Sequence, residues 1–245
     1  MKSSAFWKMV WLTVVGAGLS WMTGAPDRAA EVSAFPRTVY LVRHGSYDER
    51  AEADPITGPA LTPLGIAQAR LLASRVRELP VHFDELSSSS LTRAVETAQI
   101  LHESVTDVPV TPVRPELSEC TPPYFRASEK PASAEESACA RRLDAAYAQI
   151  FVPGGTSSKN EILICHGNVI RYFITRALGV DTRSWIRMSV AHASITVIRV
   201  NSDASMTVLS VGDIGHVPPN LQSWGGDGDP ELVAPGIAHV ERAGR

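Results

Sequence analysis

Val39-Tyr40-Leu41-Val42 is an apolar run rich in residues that favour strands, and it ends directly in Arg43-His44-Gly45. Such a run suits a buried strand, so the arginine and the histidine lie where that strand delivers side chains to a loop. The arrangement recurs. Phe83-Asp84-Glu85-Leu86 leads through Ser87-Ser88-Ser89-Ser90 to Leu91-Thr92-Arg93, which sets an arginine in the first turn of a helix. Glu161-Ile162-Leu163-Ile164-Cys165 ends in His166-Gly167, again at a helix start. Strands alternating with helices describe an α/β fold, and open α/β sheets bind ligands outside the carboxyl ends of their strands. If the three strands are parallel neighbours, Arg43, His44, Arg93 and His166 converge on one crevice.

Two guanidiniums and two imidazoles in one pocket repel each other unless an anion sits among them. Phosphate suits the planar fork of arginine, and free N–H groups at a helix start add to its binding. The arginines also push a neighbouring imidazole toward its neutral form, which keeps a nitrogen lone pair available as a phosphoryl acceptor.

The remaining elements follow from caps and periodicity. Thr62 as N-cap and Pro63 at the first helical position start a helix that continues through Leu64, Ala67, Leu71, Leu72 and Val76 and ends by Pro80. The pattern predicts strands at 37–43 and 84–88, helices at 91–103 and 134–151, and a loop over the pocket mouth at 121–133. A further helix over about 168–178 stops at Gly179. Alternation over 193–200 and 206–211 around Asn201-Ser202-Asp203 predicts a hairpin at the sheet edge. From Ser223 onward Gly, Pro and Ala dominate, and the expectation is a disordered tail over 223–245.

The 245 residues are 44% hydrophobic and 20% charged, which suits one globular domain with a short extension at each end. A net charge of −3 provides no positive field for nucleic acid. The three cysteines, Cys120, Cys139 and Cys165, are odd in number and widely spaced. They imply neither a disulfide framework nor a metal-ligand pair. Met9 to Pro26 is uncharged and follows Lys2 and Lys8, so residues 1–30 read as a signal peptide or an amino-terminal membrane anchor.

The ordered set Arg43-His44-Gly45, Ser90-Leu91-Thr92-Arg93-Ala94-Val95-Glu96-Thr97-Ala98 and His166 resembles the histidine phosphatase (phosphoglycerate mutase-like) superfamily. Within it the likeness is nearest to the PGAM5-type serine/threonine phosphatases. That rests on Leu61-Thr62-Pro63-Leu64-Gly65, on Cys165-His166-Gly167-Asn168-Val169-Ile170-Arg171-Tyr172, and on Ser194-Ile195-Thr196 through Gly212-Asp213-Ile214-Gly215-His216-Val217-Pro218-Pro219. The resemblance implies a three-layer sandwich, a mostly parallel central sheet with helices on both faces, over a catalytic domain at 37–222. It implies His44 as the phosphorylated nucleophile, Arg43, Arg93 and His166 as the phosphate clamp, and a backbone N–H from Gly167. Glu119 falls where the proton donor to the leaving oxygen belongs, with Glu116 and Asp48 as alternatives. Ser46-Tyr47-Asp48-Glu49-Arg50 departs from the family pattern and leaves the leaving-group side open. Residues 23–37 hold no aromatic and acidic multimerisation motif, so assembly into large oligomers is not carried over.

The implied activity is metal-independent hydrolysis of phosphomonoesters without a cofactor, on phosphoprotein side chains first. Phosphoserine, phosphothreonine and phosphohistidine are the substrates to consider. A small-molecule phosphatase or mutase, and a membrane-tethered phosphate-binding scaffold without turnover, are the alternatives. A mutase needs a second anion site, for which the 121–133 loop offers Arg126 and Lys130. The implied setting is a mitochondrial membrane or the periplasmic side of a bacterial one. His82, His102, His192, His216 and His239 are expected on loops or surfaces without a role, His216 bordering the pocket at most.

Overall fold

The structure, a computed structural model, describes residues 34–110, 113–126 and 131–224. The expected signal or anchor at 1–30, His239 and the tail beyond Trp224 lie outside the described residues. In chain order the main elements are β1 (Arg37–Arg43), α1 (Pro63–Arg77), β2 (Glu85–Ser88), α2 (Thr92–His102), α3 (Ala134–Ile150), β3 (Lys159–Cys165), α4 (Gly167–Leu178), β4 (Ile195–Val200) and β5 (Met206–Asp213). The five strands form one sheet in the order β2-β3-β1-β4-β5. β1, β2 and β3 run parallel, while β4 is antiparallel to both β1 and β5. The expected α/β architecture with a mostly parallel sheet is present, and the predicted hairpin forms its edge.

Alternation along the strands divides the core in two. Val39, Leu41, Leu163 and Cys165 pack on one face with Leu143, Tyr147 and Ile150 of α3 and Val169, Ile170 and Phe173 of α4. Val42, Ile162, Ile164 and Leu86 pack on the other with Leu72 and Val76 of α1 and Ala94, Ala98 and Leu101 of α2. Successive strand residues point to opposite faces, so each of these short apolar runs supplies both layers at once.

The caps explain where the helices begin. Thr62 accepts the Gly65 N–H at 3.1 Å, with Pro63 in the first turn. At α3 Ser133 and Glu136 form a reciprocal capping box, Ser133 Oγ accepting from Glu136 N at 3.2 Å and Ser133 N donating to Glu136 Oε2 at 2.9 Å. Gly179 ends α4 with φ +66°, the left-handed cap that favours glycine.

Two sequence expectations are corrected here. Cys120 and Cys139 form a disulfide, leaving Cys165 as the free, buried cysteine. A separation of 19 residues says nothing of pairing, and the pair meets because the 118–126 segment folds back against α3. The supposed tail also starts too early. Ser223 accepts the His192 N–H on its carbonyl at 2.9 Å, and the Trp224 carbonyl accepts from Arg43 Nη1 at 3.2 Å. Both residues belong to the fold. Among the described residues no helix is long and apolar enough to cross a membrane.

Because the disulfide closes a loop of this length, removing it frees the unfolded chain and costs about 3 kcal/mol. Urea unfolding of a Cys120→Ser/Cys139→Ser double variant should show that loss against the oxidised wild type. Dithiothreitol should weaken the wild type and leave the variant unmoved.

Candidate active site

Strand register assembles the site. Arg43 lies opposite Cys165, and Ser88 opposite Ile164. The next residues, His44, His166 and Ser89, therefore emerge side by side at the carboxyl edge. Backbone bonds extend the pairing past the strand ends, with His44 N donating to Cys165 O at 3.1 Å and Ser89 N to Ile164 O at 2.8 Å. From the other neighbour, the chain entering β4 closes on the same point: Ala193 N donates to Arg43 O at 3.0 Å and Arg43 N to Ser194 O at 3.2 Å.

The turn after His44 is pressed onto the first turn of α1. A Cβ on Gly45 would lie 2.5 Å from the Gly65 carbonyl oxygen, and a Cβ on Gly65 only 2.0 Å from that of Ser46. Both positions therefore need glycine for close approach rather than for unusual φ. Ser46 O accepts from both Thr62 N (3.0 Å) and Thr62 Oγ1 (3.1 Å), which fastens the loop to the helix cap. Gly45 N donates to Thr97 Oγ1 at 3.1 Å and so ties the loop to α2 as well.

His44 is 1% exposed. Its Nδ1 lies 2.7 Å from the Gly45 carbonyl oxygen. A carbonyl only accepts, so Nδ1 carries the proton and Nε2 keeps its lone pair. Arg93 Nε donates to that Nε2 at 3.2 Å, and its guanidinium lies over the Tyr47 ring, 4.3 Å from the centroid. Arg43 Nη1 donates to Val190 O at 2.8 Å and its side chain lies along Gly167, where a Cβ would stand 3.4 Å from the guanidinium carbon. His166, fully buried, shares a 2.7 Å hydrogen bond between Nε2 and Ser89 Oγ, while its Nδ1 has no partner among the described residues. The 5.0 Å between the His44 and His166 ring centroids completes the group. Gly167 opens α4 directly behind it, with the free N–H groups of a helix start.

His44, His166 and a third histidine, His192, are all held well below the ordinary imidazole pKa. Burial is the leading cause in each, and Arg43 and Arg93 reinforce it. His192 corrects the sequence expectation. It is 2% exposed rather than on the surface, with its ring centroid 5.4 Å from that of His44. Nothing like the His-Gly turn marks it in the chain. The only signal available was its place three residues before a strand that pairs with β1. His216 is half-buried, its Nε2 donating to Ala193 O at 3.0 Å.

Glu119 sits between Leu117 of the core and the disulfide at Cys120. The Cys120 N–H donates to its Oε1 at 3.3 Å. Its charge acts on Arg142 and on the Cys165 thiol, which burial first and Glu119 second push up. Arg142 in turn acts on His166. The alternatives are engaged elsewhere, Asp48 Oδ1 with the Arg50 N–H at 2.9 Å and Glu116 with Arg114 at 3.8 Å.

Among the described residues no group of three or more His, Cys, Asp or Glu is placed to hold a metal ion. The arrangement is one for an anion, with two fixed cations, unsatisfied imidazole nitrogen and a helix start around a lone pair that faces Arg93.

Residues 39–122 and 121–213 match the family model for the histidine phosphatase superfamily, branch 1. The chain belongs to that superfamily. A mitochondrial serine/threonine-protein phosphatase Pgam5 from Caenorhabditis elegans is 37% identical over 195 residues, 77% of this chain and 66% of the relative. The chain thus spans about two thirds of that relative's length. A phosphoglycerate mutase from Plasmodium falciparum matches in structure with a TM-score of 0.53 at 25% identity, covering 75% of this chain and 95% of that one. A second, from Bacillus anthracis, matches with a TM-score of 0.57 at 22% identity over 76% and 97%, which speaks to fold alone. As a member of this superfamily the chain is a phosphatase of the histidine type.

Buried neutral histidines make the fold of this phosphatase sensitive to acid. Their unfolded pKa is about 6.5, and the folded values lie below it. Below about 6.5 the unfolded chain binds protons that the fold refuses, so stability is complete above that pH and is lost as pH falls. Acid should therefore destabilise the fold between pH 7.5 and 5.5. Urea unfolding at the two pH values in phosphate-free buffer should show it, and His166→Gln should make the difference smaller.

Proposed function

We propose that this chain hydrolyses phosphomonoesters on protein side chains, phosphoserine and phosphothreonine first, through a phosphohistidine at His44. The observation that carries the reading is the orientation of that ring. Nδ1–H is committed to Gly45 O, and Nε2 offers its lone pair beside Arg93. In the first step Nε2 attacks phosphorus in line, the P–N bond forms, and the P–O bond to the leaving group breaks as Glu119 gives its proton to the departing oxygen. Water then attacks phosphorus, the Glu119 carboxylate takes its proton, and the P–N electrons return to Nε2. Arg43, Arg93, His166 and the Gly167 N–H stabilise the charge on the equatorial oxygens throughout.

The protein substrate is supported by the names of the relatives, serine/threonine-protein phosphatases at 30–37% identity. The mutase reading is weakened by Arg126, one of the two cations available for a second anion. It is ion-paired with Glu136 and stacked on the Tyr124 ring. The relatives' mitochondrial naming supports an organellar setting, with the amino-terminal segment as membrane tether or export signal. The Cys120–Cys139 disulfide supports a compartment oxidising enough to keep it.

Labelled substrate followed by rapid quench should trap acid-labile phosphate on His44, and His44→Ala should abolish turnover of every substrate. Glu119→Gln separates donor from scaffold. Phosphoenzyme formation from an aryl phosphate, whose leaving group needs little proton transfer, should survive in single-turnover assays. A phosphoserine peptide, which leaves as a basic alkoxide, should lose on the order of 10²-fold to 10⁴-fold. Equal losses with both would assign Glu119 a structural role.

A further inference from the structure

His192 is explained by neither the fold nor the proposed mechanism. It lies in the turn entering β4, 2% exposed, with its ring centroid 5.4 Å from His44 and 6.2 Å from the Tyr47 ring. Its protonation can be read from a chain of hydrogen bonds that begins at the nucleophile loop. Ser46 N donates to Gln68 Oε1 at 2.8 Å, which fixes the Gln68 amide so that Nε2 is the outward donor. That Nε2 donates to Leu221 O at 2.7 Å and to Ser223 Oγ at 2.9 Å. The Ser223 hydroxyl, which accepts from Gln68, also lies 2.9 Å from His192 Nδ1, and its own proton can be placed on that nitrogen. His192 is then the tautomer with hydrogen on Nε2. That nitrogen is buried and without a partner among the described residues.

An unsatisfied buried donor costs about 1–3 kcal/mol. A second cost lies beside it. Ala193, fully buried, takes φ +57°, a conformation that costs a non-glycine residue about 1–2 kcal/mol. Two local costs on adjacent residues at the mouth of a reactive site point to a function that repays them. Near His44, Arg43 and Arg93, the group that satisfies an N–H donor is an anionic oxygen.

We infer that His192 is a further phosphate-binding residue of this phosphatase, donating Nε2–H to a nonbridging oxygen of the bound phosphoryl group. Gln68 and Ser223 act through it as positioning residues that fix its tautomer. The inference rests on the phosphatase reading of the site, since the ligand is the phosphate that His44 attacks. It gives a purpose to the Leu221–Trp224 segment, which carries the tautomer-setting hydroxyl to the site and also receives Arg43 Nη1 on the Trp224 carbonyl.

The test is equilibrium binding of orthophosphate by calorimetry to the full chain, which needs no turnover. His192→Leu should raise the phosphate Kd roughly tenfold to a hundredfold, the range for a hydrogen bond to a charged group. His192→Gln, whose amide N–H extends about as far as Nε2, should recover most of that loss. Ser223→Ala frees the tautomer and should weaken binding a few fold with the ring still in place, which also serves if the Leu variant does not fold. A phosphate Kd within twofold of wild type in the Leu and Ala variants, or equal weakening in Leu and Gln, overturns the role of His192. Wild type that binds no phosphate while remaining folded overturns the phosphatase reading itself, a different outcome.

Discussion

Arg43 and Arg93 bring two fixed positive charges to positions that are 7% and 6% exposed. Removing a guanidinium from water costs several kcal/mol unless its surroundings replace the lost solvation. Among the described residues, several neutral groups do so. Arg43 is held by the carbonyls of Val190 and Trp224, and Arg93 by the His44 lone pair and the face of Tyr47. Those carbonyls, the lone pair and the π face satisfy hydrogens without adding charge of their own. Burial first, and the same charges after it, hold the imidazoles neutral. A neutral imidazole has a lone pair to give and a protonated one does not, so in the proposed reaction affinity for the dianion and reactivity toward it share these causes.

That arrangement needs parts distant in sequence to be held at fixed positions, and the β1–β3 register is what holds them. A slip of one residue would turn Arg43 and His44 to opposite faces and put Val42 into the wrong layer of the core. The register is secured on both sides, by β3 in parallel and β4 antiparallel, and at the strand end by the Gly45–Gly65 contact. Gln68 links these constraints. Its carbonyl oxygen holds the backbone of Ser46 and its amide holds Leu221 and Ser223, so one buried side chain on α1 ties together the loop after His44 and the last described residues.

Much of this was legible in the chain because strand-end chemistry is a local signal. Val39–Val42 running into Arg43-His44-Gly45, and Ile162–Cys165 running into His166-Gly167, announce strand, turn and helix within a dozen residues. Thr62-Pro63 and Gly179 mark helix ends through local backbone geometry. What escaped was non-local. Cys120 and Cys139 pair because of where α3 lies, a tertiary fact with no periodicity behind it. His192 precedes an antiparallel strand and has no glycine after it, so the signal that identified His44 and His166 was absent. Composition misled at Ser223 and Trp224. A Gly- and Pro-rich tail follows them, yet backbone groups bond regardless of side-chain bias, and the His192 amide and the Arg43 guanidinium supply the partners.

The leaving-group side is where the chain departs from its family pattern, and there the disulfide takes on meaning beyond stability. Glu119 adjoins a bridged cysteine whose N–H donates to Glu119 and whose carbonyl accepts from Asn168 Nδ2 at 3.0 Å. Asn168 is the second residue of α4, the helix whose N-cap is His166. The segment bearing the proposed acid is thus tied covalently to α3 and by hydrogen bond to α4. Arg142, on α3 three residues after Cys139, donates to the Ser118 carbonyl and closes the same loop from the other side. A carboxyl group that must protonate one oxygen and then activate water has to keep its position through both steps. A loop without regular secondary structure can meet that demand only if it is pinned at several points, and here Ser118, Cys120 and Asn168 pin the two flanks of Glu119.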